Sequence, residues 1–295
     1  MNEYVIWLPQ GRLGNLLFQI QAIKYHFPKA KIVVSIDSGY SEIFVHEHIF
    51  KFIKVPKLFR APLLNLWLVI FRKLVSLRIF SSLRLRLFLI NGHNVESELV
   101  DKIPGFISNI WVIEGWFQSP FLLGISQTPI IKNKYVDLAR SILSVIPIEK
   151  RVGLHMRFGD FDDWRILGKR GVTLPKSFYF DAIEILDAVI DKPVYVIFSD
   201  DMHKAKKTFG DSGKFFYFNG GGVGVDFAGM SLCSHGILSA STFALWGFSL
   251  IKNKNRQFIL PKYWAGFRSE IWYPPEFKFL EGMAINVNFL ESVPE

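Results

Sequence analysis

The chain has 295 residues, half of them hydrophobic and 21% charged, which is enough to bury a sizeable core and too apolar for disorder. Its one cysteine, Cys233, excludes an internal disulfide, fits a reducing compartment and reads as a buried structural thiol. The net charge of +9 is concentrated: between Glu47 and Glu96 stand nine basic residues and no acidic one, and without those nine the 35 Lys and Arg fall to 26, equal to the 26 Asp and Glu.

In chain order, Tyr4 to Leu8 reads as a first strand; with no basic leader ahead of it, the expectation is a cytoplasmic chain without a signal peptide. The turn Pro9 to Asn15 follows, then helical spacing from Leu16 to Phe27 and a second strand from Lys31 to Ile36. This strand–glycine loop–helix–strand order opens a parallel α/β sheet. The basic segment, residues 51–90, mixes its cations with Leu63, Leu66, Trp67, Val69 and Ile70. Such a mixture suits either an anionic membrane surface or two ordinary helices with solvated arginines. Its longest apolar run, Ala61 to Phe71, is too short to cross a bilayer, and no nucleic-acid motif accompanies the charge. A strand from Trp111 and a helix from Tyr135 to Val145 lead to Pro147, where a domain boundary is expected.

Beyond Pro147, strands are expected at 152–156, 194–198, 215–218, 236–240 and 258–260, with helices at 178–190, 202–209, 226–232 and 243–251. Such alternation implies a doubly wound sheet with ligands at the carboxyl ends of its strands. The polar residues that interrupt this apolar chain fall at those ends. In Val152 to Arg157, residues 152, 154 and 156 share one strand face and His155 and Arg157 the other. The Arg157 guanidinium can hold a diphosphate bidentately and keep its charge as a leaving group departs; a surface arginine paired with Asp160 or Asp163 explains the pattern equally well. Of Asp200 and Asp201, one reads as a helix cap and the other as an acceptor for a guanine edge or a ribose. Ser239 to Phe243 joins strand to helix, either a phosphate seat or a simple cap. Gly11 and Gly14 suit close approach to a phosphate, or any tight turn.

Taken in order, these pieces resemble the α-1,2-fucosyltransferases. Gly11-Arg12-Leu13-Gly14-Asn15-Leu16-Leu17-Phe18-Gln19 is similar to their G-x-L-G-N-x-x-F-Q opening, and Gly115 to Ser119 to G-Y-x-Q-S. His155 to Asp160 resembles H-x-R-R-G-D, and Phe198 to Asp201 resembles F-S-D-D. Asp226 to His235 and Ser239 to Gly247 resemble D-x-x-x-M-S-x-C-x-H and A-N-S-T-F-S-W-W-G. The resemblance implies a GT-B-like α/β fold of two Rossmann-like domains. Residues 1–147 would be the acceptor side, with the basic segment, and 148–295 the donor-binding domain, the nucleotide-sugar site lying there and in the cleft.

It also implies inverting transfer of fucose from GDP-fucose to a galactoside, without a cofactor or metal, in bacterial surface glycan synthesis. The acceptor would be an oligosaccharide or lipid-linked glycan. Arg157, Asp160 and Asn15 would form the catalytic group. Arg12, Gly14, His155, Asp200, Asp201, Ser241, Thr242 and Phe243 would hold the donor, Arg157 on the β-phosphate and His155 on the nucleoside. Phe158 stands where the family has a second Arg, Ala244-Leu245 replace Ser-Trp, and the Asn before the Ser-Thr pair is missing. Two rival readings are a metal-dependent transferase using Asp160 and Asp162 as a D-x-D pair, and a non-enzymatic sugar- or membrane-binding module.

Overall fold

The computed structural model describes residues 2–34, 39–45, 50–52, 86–92, 108–118, 120–123 and 129–288, with the single positions 62, 66, 69, 70 and 73. They fall into two compact units, Met1–Lys132 and Asn133–Glu295.

In the first unit β1 (Asn2–Trp7) runs through the Gly11 turn into helix α1 (Leu13–His26), which returns the chain to β2 (Lys31–Val34). Leu16, Leu17, Phe18, Ile20 and Ile23 of α1 are buried, so the helix is held by packing on the sheet rather than by exposed-face propensity. A short helix α2 (Tyr40–Ile43) precedes β3 (Phe50–Phe52), and β4 (Arg86–Gly92) and β5 (Ser108–Gly115) complete the sheet. All five strands are parallel, in the order β3-β2-β1-β5-β4. The ends of the basic segment are thus strands. Between them only positions 62, 66, 69, 70 and 73 are described, all helical, and the rest of the expected amphipathic surface lies outside the described residues.

In the second unit helix α3 (Asn133–Ile142) leads to β6 (Arg151–Met156), and a small hairpin of β7 (Arg165–Ile166) and β8 (Lys169–Arg170) follows. Then come α4 (Lys176–Asp187), β9 (Val194–Ser199), α5 (Met202–Phe209), β10 (Phe215–Tyr217) and α6 (Val223–Ser231). The last elements are β11 (His235–Ile237), α7 (Thr242–Ser249), β12 (Phe258–Pro261) and β13 (Ala284–Ile285). The six-stranded sheet has the order β10-β9-β6-β11-β12-β13, all parallel. From β6 the chain builds outward through β9 to β10, then restarts on the other side of β6 with β11. The crevice between β6 and β11 is therefore the topological switch point, where open α/β sheets take their ligands.

Two glycines decide how α7 sits there. A Cβ at Gly153 of β6 would lie 2.2 Å from the Phe248 ring, and one at Gly236 of β11 would lie 3.1 Å from it. Bare backbone at Gly153 is what admits that ring, and Gly236 adds room beside it. Seating Phe248 there brings the start of α7 down beside the end of β6.

The units divide ahead of the boundary expected at Pro147, because α3 is packed into the second unit. Gly224 of α6 lets the Tyr135 ring approach, a built Cβ standing 2.8 Å from it. Arg151, only 6% exposed, ties the same stretch down. Its guanidinium donates to the carbonyls of Leu143 at 2.9 Å and Ile146 at 2.7 Å and to Leu232 at 3.3 Å. The Leu143 carbonyl also accepts the Ile146 N–H at 3.0 Å, so the arginine reinforces a turn that the backbone already closes.

Candidate active site

All six residues of β6 are buried, because helices cover both faces of the sheet. The two candidate residues therefore differ in exposure. His155 is 4% exposed, and Arg157 reaches partly into solvent only because it follows the last strand residue. Burial lowers the His155 pKa to about 3, so the imidazole is neutral at physiological pH. Its Nδ1 lies 2.7 Å from Ser239 Oγ, a contact across the switch point from the end of β6 to the residues after β11. The ring stands 6.1 Å from that of Phe243. A neutral, oriented imidazole can hydrogen-bond a nucleoside but brings no charge to a phosphate.

The charge at this place is Arg157. Its Nη2 is 2.6 Å from Asp160 Oδ1 and its Nη1 is 3.2 Å from Asp200 Oδ2. Its guanidinium carbon lies 5.7 Å from the centre of the Phe161 ring. Asp200 uses its second oxygen to accept the Phe158 backbone N–H at 2.9 Å. One carboxylate at the end of β9 thus fixes both the arginine and the backbone beside it. Gly159 (φ +51) leaves room for this, since a Cβ there would lie 2.9 Å from Asp200 Oδ2. Asp201 is the cap of α5, accepting the Lys204 N–H at 3.0 Å. The two neighbouring aspartates therefore have separate partners, and the described contacts of Asp200 are to Arg157 and Phe158. Asp163, the other carboxylate considered for Arg157, pairs with Arg170.

The carboxylates of the D-x-D pair are likewise divided. Asp160 faces Arg157, while Asp162 accepts from Thr173 Oγ1 at 2.5 Å and Lys204 Nζ at 3.0 Å. Lys204 also lies 5.2 Å from the centre of the Phe158 ring. A cation therefore stands over the very side chain that replaces the family's second arginine.

Ser241 precedes α7, is 8% exposed, and makes no side-chain capping bond. The Ser241 hydroxyl therefore does not cap the first turn of this eight-residue helix, which begins at Thr242 and Phe243. This is the arrangement that receives phosphate at a helix start. Two further polar groups of this unit were not singled out individually from sequence. Ser239 orients His155, and Asp226, in the first turn of α6, has its pKa pushed up to about 6 by burial. Each lies inside a motif, but only the folded sheet shows what its side chain meets.

The other sequence-predicted residues lie in the first unit. Gly11 has φ +77, and a Cβ there would stand 2.5 Å from Asn15 Nδ2 and 2.6 Å from the Trp116 ring. Asn15 accepts the Gln118 side-chain N–H at 2.8 Å. Arg12 is exposed ahead of α1, whereas Gly14 is buried within it. Beneath this loop the buried Gln19 accepts from Trp7 Nε1 at 2.9 Å and from the Gln10 N–H at 3.1 Å, and donates to the Gln10 carbonyl at 2.7 Å. Gln10 in turn donates to Glu114. The sequence signal for Gln19 and Gln118 was their place in the motifs; their work is to fix the loop from below.

Two units of parallel strands, one carrying this constellation at its switch point, define a GT-B-like fold. The chain belongs to glycosyl transferase family 11, whose model matches residues 29–279; the Gly11–Gln19 opening lies ahead of that stretch. It is 29% identical over 114 residues to the O-antigen biosynthesis glycosyltransferase WbnK of Escherichia coli, 38% of each chain. It is 28% identical over 146 residues to galactoside 2-alpha-L-fucosyltransferase SEC1 of Bos taurus, covering 46% of this chain and 39% of that one. The chain thus spans about two fifths of the length of these curated relatives. Among solved structures, POFUT1 in complex with GDP-fucose superimposes with a TM-score of 0.50 at 11% identity, over 87% of this chain and 98% of that one. NodZ of Bradyrhizobium does so with a TM-score of 0.50 at 12% identity, over 85% and 93%. These last two likenesses concern the fold.

Proposed function

We propose that the protein transfers L-fucose from GDP-fucose to a galactoside hydroxyl, forming an α-1,2 linkage with inversion, in the synthesis of a bacterial surface glycan. The observation that carries this reading is Arg157 at the end of β6, held by Asp160 and Asp200 at the switch point of the sheet. As the bond from fucose to the diphosphate breaks, negative charge grows on the β-phosphate. A guanidinium already fixed in place stabilises that charge without reorganising. Neutral His155 and its Ser239 partner hold the nucleoside, and the start of α7, from Ser241 to Phe243, lies against the phosphates. Asn15 and Arg12, on their glycine loop, serve the donor as the family resemblance implies. Because Arg157 supplies the positive charge, the reaction requires no metal ion. The family match and the names of the curated relatives support the substrate class.

The basic segment is proposed to rest on an anionic membrane surface on the cytoplasmic side, where a lipid-linked acceptor would be presented. Leu66, Val69 and Ile70 are 56%, 60% and 50% exposed and, with Lys73, fall at i, i+3, i+4 and i+7 of one helical face. Among the described residues no helix is long and apolar enough to cross a membrane.

The test is transfer from GDP-fucose to a panel of β-galactosides, with and without EDTA, and product linkage read by NMR. An α-1,2-fucosylated product whose rate is insensitive to EDTA supports the reading. A rate abolished by EDTA and restored by Mn²⁺ would transfer the assignment to Asp160 and Asp162 as metal ligands.

A further inference from the structure

Between Arg157 and α4 the chain makes an excursion that the donor site does not use. Strands β7 and β8 pair through a two-residue connection, Leu167-Gly168, with φ of +49 and +80. Both central residues are left-handed, the geometry that matches strand twist and that asparagine and glycine adopt cheaply. A leucine there is strained, and it is 45% exposed. Arg165 stands directly opposite Arg170, a like-charged pair that weakens the hairpin further, although Arg170 is balanced by Asp163. The hairpin is fixed chiefly at its foot. Ile166 is buried, Gly171 donates to the Trp164 carbonyl at 2.9 Å and Val172 to that of Phe161 at 2.8 Å. Arg268 Nε donates to the Gly171 carbonyl at 2.7 Å.

At that foot Trp164 is 44% exposed. Its ring lies 5.5 Å from the ring of Phe161, whose other neighbour, at 5.7 Å, is the guanidinium of Arg157. A large exposed indole on a firmly anchored turn thus stands two ring contacts from the group assigned to the departing diphosphate. In a displacement at the anomeric carbon, the acceptor oxygen must come within about 3–3.5 Å of that carbon. The acceptor ring must therefore lie one sugar further out than the group that holds the diphosphate. The indole offers a flat apolar face on which the C–H face of a pyranose packs, with a negative π surface opposite the polarised C–H bonds.

We propose that Trp164 is the stacking platform for a pyranose ring of the acceptor glycan, and that Leu167 at the hairpin tip extends the same subsite. This rests on the reading of the chain as a fucosyltransferase. It identifies Trp164 as a specificity-determining residue toward the acceptor and leaves the donor to Arg157 and α7.

The experiment uses the full chain, GDP-fucose and lactose, lacto-N-biose and phenyl β-galactoside as acceptors, with GDP affinity measured separately by calorimetry. Trp164→Ala is expected to raise the KM of the best acceptor about tenfold, the loss of one aromatic stack. It should change kcat less than threefold and GDP affinity less than twofold; Trp164→Phe should recover most of the loss. Leu167→Gly guards against misfolding: it relieves the left-handed strain, so its melting temperature should rise while acceptor KM also rises. An unchanged acceptor KM in both Trp164→Ala and Leu167→Gly overturns the proposal. If the wild type neither binds GDP nor transfers fucose, the fucosyltransferase reading falls instead, and calorimetry separates the two failures.

Discussion

Replacing Asp200 by asparagine separates two roles that its place after a strand leaves open. An asparagine keeps an oxygen for the Phe158 N–H, at 2.9 Å in the wild type, and removes the charge 3.2 Å from Arg157 Nη1. Hydrogen bonds to charged groups contribute about 1.5–3 kcal/mol. Here both side chains are partly exposed, at 20% and 26%, and Asp160 still holds the other guanidinium nitrogen, so about 1 kcal/mol of Arg157 placement is lost. That corresponds to roughly a fivefold fall in kcat. The donor KM should stay level or fall, because one negative charge beside the diphosphate has gone. Steady-state fucosyl transfer at saturating acceptor, with GDP-fucose varied, reads both constants, and a melting curve checks the fold. A donor KM raised tenfold at unchanged kcat would refute the reasoning. It would place Asp200 on the guanine or ribose, as its position in sequence allowed.

Acid stability distinguishes two buried groups of opposite sign. The folded pKa of His155, about 3, lies below its unfolded value of 6.5, so its neutral form stabilises fully above pH 6.5 and that contribution is lost as pH falls toward 3. The folded pKa of Asp226, about 6, lies above its unfolded value of 3.8, so its contribution grows as pH falls through 6 toward 3.8. Melting temperatures between pH 7.5 and 4 should therefore fall less steeply for His155→Gln than for the wild type, and more steeply for Asp226→Asn; parallel curves would show that neither group is buried as described. Binding to phosphatidylglycerol vesicles should be strong at low salt, fade as salt rises, and drop at least tenfold when Leu66, Val69 and Ile70 become aspartate. A wild type that does not sediment with such vesicles at low salt would leave the basic segment as an ordinary solvated surface.

The second unit was largely legible because its strands are apolar runs separated by helical spacing; the helix expected at residues 202–209 is α5 itself. What could not be read was adjacency. Asp200 reaches Arg157 because β9 lies next to β6, and Ser239 meets His155 because β11 lies on its other side, and neither pairing leaves a mark in the linear order. Alternation along β6 could not show that His155 is buried with its apolar neighbours, because the strand is covered on both sides. Strands β3 and β4 were missed because they close the two ends of a segment whose composition reads as amphipathic helix. The β7–β8 hairpin has two residues per strand and a Leu-Gly turn in place of the usual asparagine-glycine signal, too short and too atypical for any periodicity.

The most direct measurement of the central claim is single-turnover transfer from GDP-fucose by wild type, Arg157→Lys and Arg157→Ala. Losing a fixed cation at a developing oxyanion costs on the order of 10²–10³ in rate, so Arg157→Ala should fall by that factor. Arg157→Lys should recover little, because a point charge cannot reproduce the guanidinium fork held between Asp160 and Asp200. A near-normal single-turnover rate in Arg157→Ala would contradict the account.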